Sequence, residues 1–428
     1  MIFYSQSMTH IRMIAIRLIA CCTFVGLSSS IAFAQEWTRF RGPNGSGVSR
    51  ATTVPTQWTE ADHNWRITLA GRGHSSPVLW GKRLFVTSGD EESGQRIVLC
   101  VNAADGRRVW SREFPAARHG KHDLNSFASS TPAVDGQRLY VAWATPEEYV
   151  VLALDHDGRE SWRVDLGPSK VAHGFGASPI VHDDLVVVPN DQDETGSLIA
   201  LDADTGAIRW KVARKGKSSY ITPCIYQPDG GAAELIFTNW DHGITSIDPK
   251  TGEKNWEIDI FEKSHPESAI GSPIVAGDLV LGTCGWLGVR KEVVAIRPAS
   301  IARGKDAAEV YRIDRSAPLC TTPLVCDDLL FLWSDDGIVT CADVRDGNVY
   351  WRERVGGTFY SSPICVNNRL YGISADGDMV VLAATKKFER LARFPIGDGS
   401  HSTPAVANGT MFVRTFSQLF SIGGGRSQ

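Results

Sequence analysis

The chain has 428 residues and a formal net charge of −4, with 43% hydrophobic and 21% charged residues. Mild acidity without any basic patch excludes nucleic acid as the main partner. Setting aside the first 34 residues, which carry two arginines and no acid, leaves the remainder at −6.

Residues 1–34 read as a signal peptide. Arg12 and Arg17 supply a basic flank, Leu18 to Ala34 is an uncharged, largely apolar stretch, and Ile31-Ala32-Phe33-Ala34 ends in the A-x-A pattern of a signal-peptidase site. Cleavage is expected after Ala34, giving a periplasmic or secreted protein with no retained transmembrane anchor. Leu18-Ile19-Ala20-Cys21 spells a lipobox, but Arg17 interrupts the apolar core such a box needs upstream, and Met13 to Ile16 is too short to replace it. The A-x-A reading is therefore preferred. Cys21 and Cys22 leave with this segment, and Cys100, Cys224, Cys284, Cys320, Cys326, Cys341 and Cys365 stay. Most lie inside apolar runs such as Ile97-Val98-Leu99-Cys100-Val101. They read as small buried hydrophobes rather than a disulfide framework or metal cluster, and the odd number leaves at least one unpaired thiol.

Next in the chain comes an orphan. Asn64-Trp65-Arg66-Ile67-Thr68-Leu69 repeats Ser161-Trp162-Arg163-Val164-Asp165-Leu166 almost letter for letter, yet nothing before it makes the rest of that unit. From there a dipeptide of small residue plus proline recurs at Ser76-Pro77, Thr131-Pro132, Ser178-Pro179, Thr222-Pro223, Ser272-Pro273, Thr322-Pro323, Ser362-Pro363 and Thr403-Pro404. The intervals are 55, 47, 44, 50, 50, 40 and 41 residues, and no helical pattern intervenes. Such a period of strands and turns is the signature of propeller blades, so the dipeptides predict eight. Each proline precedes a β-rich run, as in Val78-Leu79-Trp80. Lacking a backbone donor, it suits the start of the innermost strand, where the chain leaves the central channel. Asp135-Gly136 and Asn408-Gly409 are hairpin signals.

A second signature joins a turn glycine to a tryptophan four residues on: Gly106 to Trp110, Gly158 to Trp162, Gly206 to Trp210, Gly252 to Trp256 and Gly347 to Trp351. Glycine suits the left-handed position of such a turn. Alternation then puts Trp65, Ile67 and Leu69 on one face, as it does Trp162, Val164 and Leu166, and that face must point into the gap between blades. Full burial of each large apolar side chain is worth roughly 1.5–3 kcal/mol. Two blades deviate. Tyr311 stands for a tryptophan in blade five, after the insertion Arg297 to Ala308, and Thr385 to Arg390 in blade seven contains none. At the far end, 399–422 opens a unit but stops before any tryptophan strand. The two ends complete each other, so the sequence predicts an all-β, eight-bladed propeller over 35–428 whose last blade is shared between 63–69 and 399–422.

The units of Ala-x-Asp-x-x-Thr-Gly-x-x-x-Trp type, at 200–210 and 246–256, resemble the pyrroloquinoline-quinone-like (PQQ-like) repeats of eight-bladed propellers. Quinoprotein dehydrogenases and BamB-like outer-membrane assembly factors share those repeats. The opening Trp37-Thr38-Arg39-Phe40-Arg41-Gly42-Pro43-Asn44-Gly45-Ser46-Gly47 is similar to the start of a set of exported bacterial proteins with such repeats. In the dehydrogenases, the resemblance implies a quinone stacked on a disulfide between adjacent cysteines and a calcium ion held near a catalytic aspartate. Here the only adjacent pair, Cys21-Cys22, lies in the signal segment, and the large inter-blade insertions are missing. Neither PQQ nor calcium is therefore expected, and no metal site.

Positions just before the dipeptides should face the channel mouth. They hold His74, Tyr220, Tyr360 and His401, and because blades seven, eight and one are neighbours, Tyr360, His401 and His74 should form one arc. His173 and the run containing His122 and Asn125 precede blades three and two on the same expected face. Polar groups converging on a concave mouth are the default ligand site; the alternative is that they only bind loop backbone and water. Asp191 to Gly196 is faintly like a calcium loop but reads better as a solvated loop. Trp240 and Trp286 fall off the repeat phase, either exposed to grip a partner or filling gaps. No nucleophile elbow or catalytic triad spacing is present. The sequence thus favours a monomeric, non-enzymatic binding or scaffold propeller for a protein or glycan partner. A quinoprotein-like oxidoreductase using the histidine-lined mouth and a BamB-like envelope assembly factor are the alternatives.

Overall fold

Proline-led inner strands and glycine-led outer turns do build blades. In the computed structural model, which describes residues 36–264, 268–286, 288–299 and 304–424, eight antiparallel sheets follow one another along the chain. The expected signal peptide and lipobox lie outside those residues. Blade one runs through Val78–Trp80, Arg83–Gly89, Arg96–Asn102 and Arg108–Phe114, and blades two to seven repeat it over 133–165, 180–214, 224–258, 274–313, 324–354 and 364–395. Blade eight contains Ala405–Ala407, Thr410–Arg414 and Gln418–Gly423, and its outermost strand is Trp65–Thr68. The pairing is Trp65 to Ser421 through Thr68 to Gln418. The orphan strand therefore closes the ring.

The tryptophan phase has a geometric origin. In blades one to seven the pairing of the two outer strands slips by one residue just where the tryptophan or its substitute sits. The bulge turns that side chain onto the following blade. Trp65, Trp110, Trp162 and Trp210 lie on Gly106, Gly158, Gly206 and Gly252 of the next blade, where a Cβ would come within 2.6–2.8 Å of ring carbons. Those glycines also have φ between 71° and 80°. Two independent demands thus fall on one residue: a left-handed turn and an aromatic ring stacked on it. Tyr311 fills the same role on Gly347, its hydroxyl donating to the Val344 carbonyl at 2.9 Å. In blade seven Ala392 takes the position opposite Val381. Trp58, from the N-terminal segment, packs edge-on against Phe394 at 4.6 Å and is buried there.

The N-terminal segment adds what the repeats do not predict. Trp37 bridges to Leu79 of blade one, the Thr38 carbonyl accepts from Val134 of blade two, and the Asn44 side chain exchanges hydrogen bonds with Ile225 of blade four. Arg39 donates to the Pro223 carbonyl and Arg41 to that of Pro323, at 2.9 Å. Val48–Ser49 then pairs in parallel with the inner strand of blade seven, making that sheet five-stranded rather than four-stranded. Residues 37–49 therefore cross one end of the channel and bind the inner edges of five blades. Burial lowers the guanidinium of Arg39 to about 10 and that of Arg41 to about 9.

One cysteine expectation is corrected. Cys326 and Cys365 form a disulfide between the inner strands of blades six and seven, with Cα atoms 6.4 Å apart. Their apolar sequence context reflects inner-strand burial and hides that adjacent blades bring these positions together. Cys100, Cys224 and Cys341 are buried as expected, and desolvation pushes each thiol up to about 12.

Candidate functional site

The small-Pro dipeptide does more than start a strand. The backbone N–H of Ser76 donates to the Thr131 hydroxyl, that of Thr131 to Ser178, Thr222 to Ser272, Ser272 to Thr322, Thr322 to Ser362, Ser362 to Thr403, and Thr403 to Ser76, at 2.9–3.1 Å. These blade-to-blade bonds run around the channel and answer donors that the edge of an inner strand would otherwise leave open. They also fix the axial height of the residue two places earlier in each blade.

That residue is His74, Ser129, Gly176, Tyr220, Ile270, Cys320, Tyr360 and His401 in blades one to eight, and all of them line a single axial cavity of about 450 Å³. Phe40 of the N-terminal crossing also lines it, and His122, Leu124 and Asn125 come from the long excursion between blades one and two. His173, Trp286 and Leu319 complete the wall. Every sequence-predicted mouth residue is in this lining: His74, His122, Asn125, His173, Tyr220, Tyr360 and His401.

Two ring clusters face each other. On the side of blades seven, eight and one, His401 lies 4.8 Å from Tyr360 and 4.4 Å from His74, and Phe416 backs both imidazoles at 5.0 and 5.6 Å. On the opposite side His173 meets His122 at 5.2 Å, Trp286 at 6.0 Å and Tyr220 at 6.4 Å. Asn125 is a loop anchor: its amide donates to the His173 carbonyl at 2.8 Å and its oxygen accepts from the N–H of Ser126.

Burial sets the charge state of the bowl. Desolvation holds the His74 imidazole well below its usual value, with His401, Arg414, Lys121 and Arg72 adding repulsion. It lowers His401 to about 4, against a smaller opposing pull from the Leu124 backbone, and lowers His173 as well. The phenols of Tyr220 and Tyr360 and the thiol of Cys320 are pushed up by the same desolvation. Near neutral pH these groups are all uncharged.

Sequence reasoning missed Phe40, whose segment carried only a resemblance, and the hydroxyl ring behind the dipeptides. It flagged Trp286 by its broken phase, and that residue is 43% exposed at the rim. Trp240 had the same signal but is tied down, its indole donating to the Glu262 carbonyl at 2.9 Å under the Lys263 ammonium. The calcium-like run is partly buried rather than solvated: Asp191 pairs with Arg214, and the Gln192 side chain bonds Lys170 and Asn190.

A quinone with several carboxylates needs cationic partners, and calcium needs oxygen ligands that include carboxylates. The described lining contains no Asp, Glu, Lys or Arg. The bowl therefore does not fit either group. Among the described residues no cluster of His, Cys, Asp or Glu is placed to hold a metal ion.

The chain matches the family described as outer membrane protein assembly factor BamB over residues 54–147, 147–310 and 305–388. It is similar to the protein of that description from Yersinia pestis, at 22% identity over 76% of this chain and 69% of that one. It is also similar to a polyvinylalcohol dehydrogenase from a Pseudomonas species, at 26% identity over 49% of this chain and 34% of that protein. Among solved structures, the quinohemoprotein alcohol dehydrogenase from Comamonas testosteroni superposes with a TM-score of 0.65 at 14% identity, over 92% of this chain and 81% of that one. That likeness speaks for fold alone. Eight blades, a shared closing blade and repeats matched across most of the chain lead to one conclusion: this protein belongs to the BamB family of PQQ-like repeat propellers.

Proposed function

We propose that this is an exported, non-enzymatic binding propeller, delivered by the signal segment ending at Ala34, that presents its axial mouth and the blade-five hairpin carrying Trp286 and Val289 to a partner. One observation carries the reading. Every blade contributes a residue to one bowl that is rich in rings and has no Asp, Glu, Lys or Arg in its described lining, so its histidines have no carboxylate in the wall to orient and pair with them as a catalytic base does. Trp286 and Val289, 43% and 57% exposed, stand beside it as unsatisfied apolar surface. Family membership supports a protein partner, and a BamB-like role in envelope assembly is the form this takes if that partner is assembly machinery.

A quinoprotein-like oxidoreductase is the competing reading. Sequence similarity to a polyvinylalcohol dehydrogenase over part of the chain favours it, while the composition of the lining weighs against it. The test measures dye-linked alcohol oxidation by the purified protein with added quinone and calcium, alongside partner capture from envelope extract by the unmodified protein and its Trp286→Ala variant. Expected are no turnover and a partner lost on substitution. Cofactor-dependent turnover would overturn the proposal, and capture indifferent to Trp286 would remove the mouth from it.

A further inference from the structure

We infer that the axial cavity is a binding site for an uncharged aromatic small molecule of about two fused or linked rings. The inference rests on the binding reading above and names the chemistry of the guest. Charge decides the first half. A carboxylate, phosphate or ammonium placed here would leave water and find no charged side chain in the wall to pair with; the charges of Arg414, Lys121 and Arg72 are felt at His74 but lie behind the lining.

Hydrogen-bonding capacity decides the second half. The wall hydroxyls of Thr131, Ser178, Ser272, Thr322, Ser362 and Thr403 each already accept a backbone N–H. The Asn125 amide is engaged at both ends. A saccharide, which needs many acceptors and donors at once, is poorly served. Beside the hydroxyls of Thr222 and Ser268, what remains is mainly flat: imidazoles and phenols on two opposed arcs, the Trp286 indole, and Phe40. Ile270, Leu124 and Leu319 fill the spaces between them. Such walls reward ring faces in stacked or edge-on geometry and leave an imidazole edge for one or two polar atoms. A cavity of about 450 Å³ is of a size that encloses such a molecule.

A matched pair of probes tests this directly. N-phenyl-1-naphthylamine and 8-anilinonaphthalene-1-sulfonate share one ring framework and differ in a sulfonate. Titrated into the purified protein and followed by fluorescence, the neutral probe should bind about tenfold or more tightly than the anionic one. Trp286→Ala and Tyr360→Ala should each weaken the neutral probe several-fold, to about tenfold, while Val109→Ala, on the exposed outer strand of blade one, should leave it unchanged. Ile270→Lys should reverse the preference by placing a cation in the wall; if it fails to fold, the two alanine variants still decide. Equal or tighter binding of the sulfonate, displacement of the neutral probe by maltose, or indifference to both alanine variants overturns the inference. Those outcomes leave the non-enzymatic reading standing, whereas dehydrogenase turnover removes that reading whatever the probes do.

Discussion

The indole of Trp65 lies against Gly106 so closely that a Cβ there would sit 2.6 Å from ring carbons, and its Nε1 donates to the Ala103 carbonyl at 2.8 Å. Trp65 belongs to the strand that completes blade eight and Gly106 to blade one, so this contact docks the closing strand on the neighbouring blade. Inside the chain the same contact holds Trp110 on Gly158 and Trp162 on Gly206. Residues 69–77 link this outer strand to the inner strand of blade one, so the break in the chain lies inside blade eight, where Trp65–Thr68 pairs with residues 418–421, and the closing strand is held by that pairing and by docking of its tryptophan. Trp65→Ala is expected to cost about 3–5 kcal/mol, by loss of burial plus a cavity. Gly106→Ala should cost a similar amount through collision and left-handed strain. Gly81→Ala, also at positive φ but with open space around it, should cost only about 1 kcal/mol. Urea midpoints of the three variants and the Trp65/Gly106 double variant check this. Strict additivity of the pair would show that the ring and the glycine do not meet.

The mouth histidines give stability a pH dependence whose sign is fixed. An unfolded histidine takes up its proton near 6.5, whereas His401 in the folded protein does so near about 4. Between those values the unfolded chain binds more protons than the folded one. The contribution is therefore complete above about 6.5, shrinks as pH falls, and stops shrinking below about 4. For His401 this is worth up to about 3 kcal/mol, and His74 acts in the same direction. Guanidinium midpoints between pH 7 and 4 should fall less steeply in His401→Phe than in the unmodified protein. Equal slopes would mean that the imidazole is already charged in the fold.

How much of this was legible follows from distance along the chain. Turn glycine, tryptophan and strand alternation fall within one blade, so one repeat displays them and eight repeats display the ring. The Tyr360–His401–His74 arc was legible because it keeps a fixed offset from the dipeptides and because blades seven, eight and one must be neighbours. Arg39 and Arg41 gave no such signal: they meet Pro223 and Pro323 across 184 and 282 residues, and nothing local marks a side chain that caps distant carbonyls. Phe40 enters the cavity only because that same segment crosses the channel. Trp286 left a trace in its broken phase, but Trp240 left the same trace and is held by Glu262 and Lys263. Phase alone does not separate a rim residue from a tethered one.

The disulfide escaped reading for a related reason, since Cys326 and Cys365 are 39 residues apart, a blade-to-blade interval that carries no cysteine motif. Closing a loop of that length lowers the entropy of the unfolded chain, and its loss should cost about 3–4 kcal/mol in the loop-entropy picture. Cys326→Ala/Cys365→Ala should therefore melt lower than the unmodified protein and match the reduced unmodified protein. A non-reducing peptide map should show the two segments linked. Two separate, alkylatable peptides would contradict the pairing.

Arg414 reinforces the same seam as Trp65, from the channel side. Its guanidinium is fully buried with no carboxylate as partner. Instead it donates to the Ser75 carbonyl at 3.1 Å, the Ser75 hydroxyl at 2.5 Å, the Ser88 hydroxyl at 3.1 Å and the Thr87 carbonyl, all in blade one. Burial lowers it to about 9, and Gly73 makes room for it, since a Cβ there would lie 2.6 Å from Nη2. Arg414→Met keeps much of the volume but removes the guanidinium's hydrogen bonds; the Ser75 and Thr87 carbonyls keep the Ser402 and Ser75 hydroxyls as donors, so the expected cost is about 1–3 kcal/mol in all. Arg414→Lys recovers only part of this, because one ammonium cannot reproduce the planar fork. A purely structural role would stop there. Arg414 also adds to the repulsion that disfavours protonated His74, after burial and His401, whereas it does not act on His401. Arg414→Met should therefore raise the His74 titration midpoint and leave that of His401 in place, measured by NMR on the two imidazoles. If both midpoints move together, the substitution has loosened the mouth as a whole, and Arg414 is then a general support of the seam rather than a specific neighbour of His74.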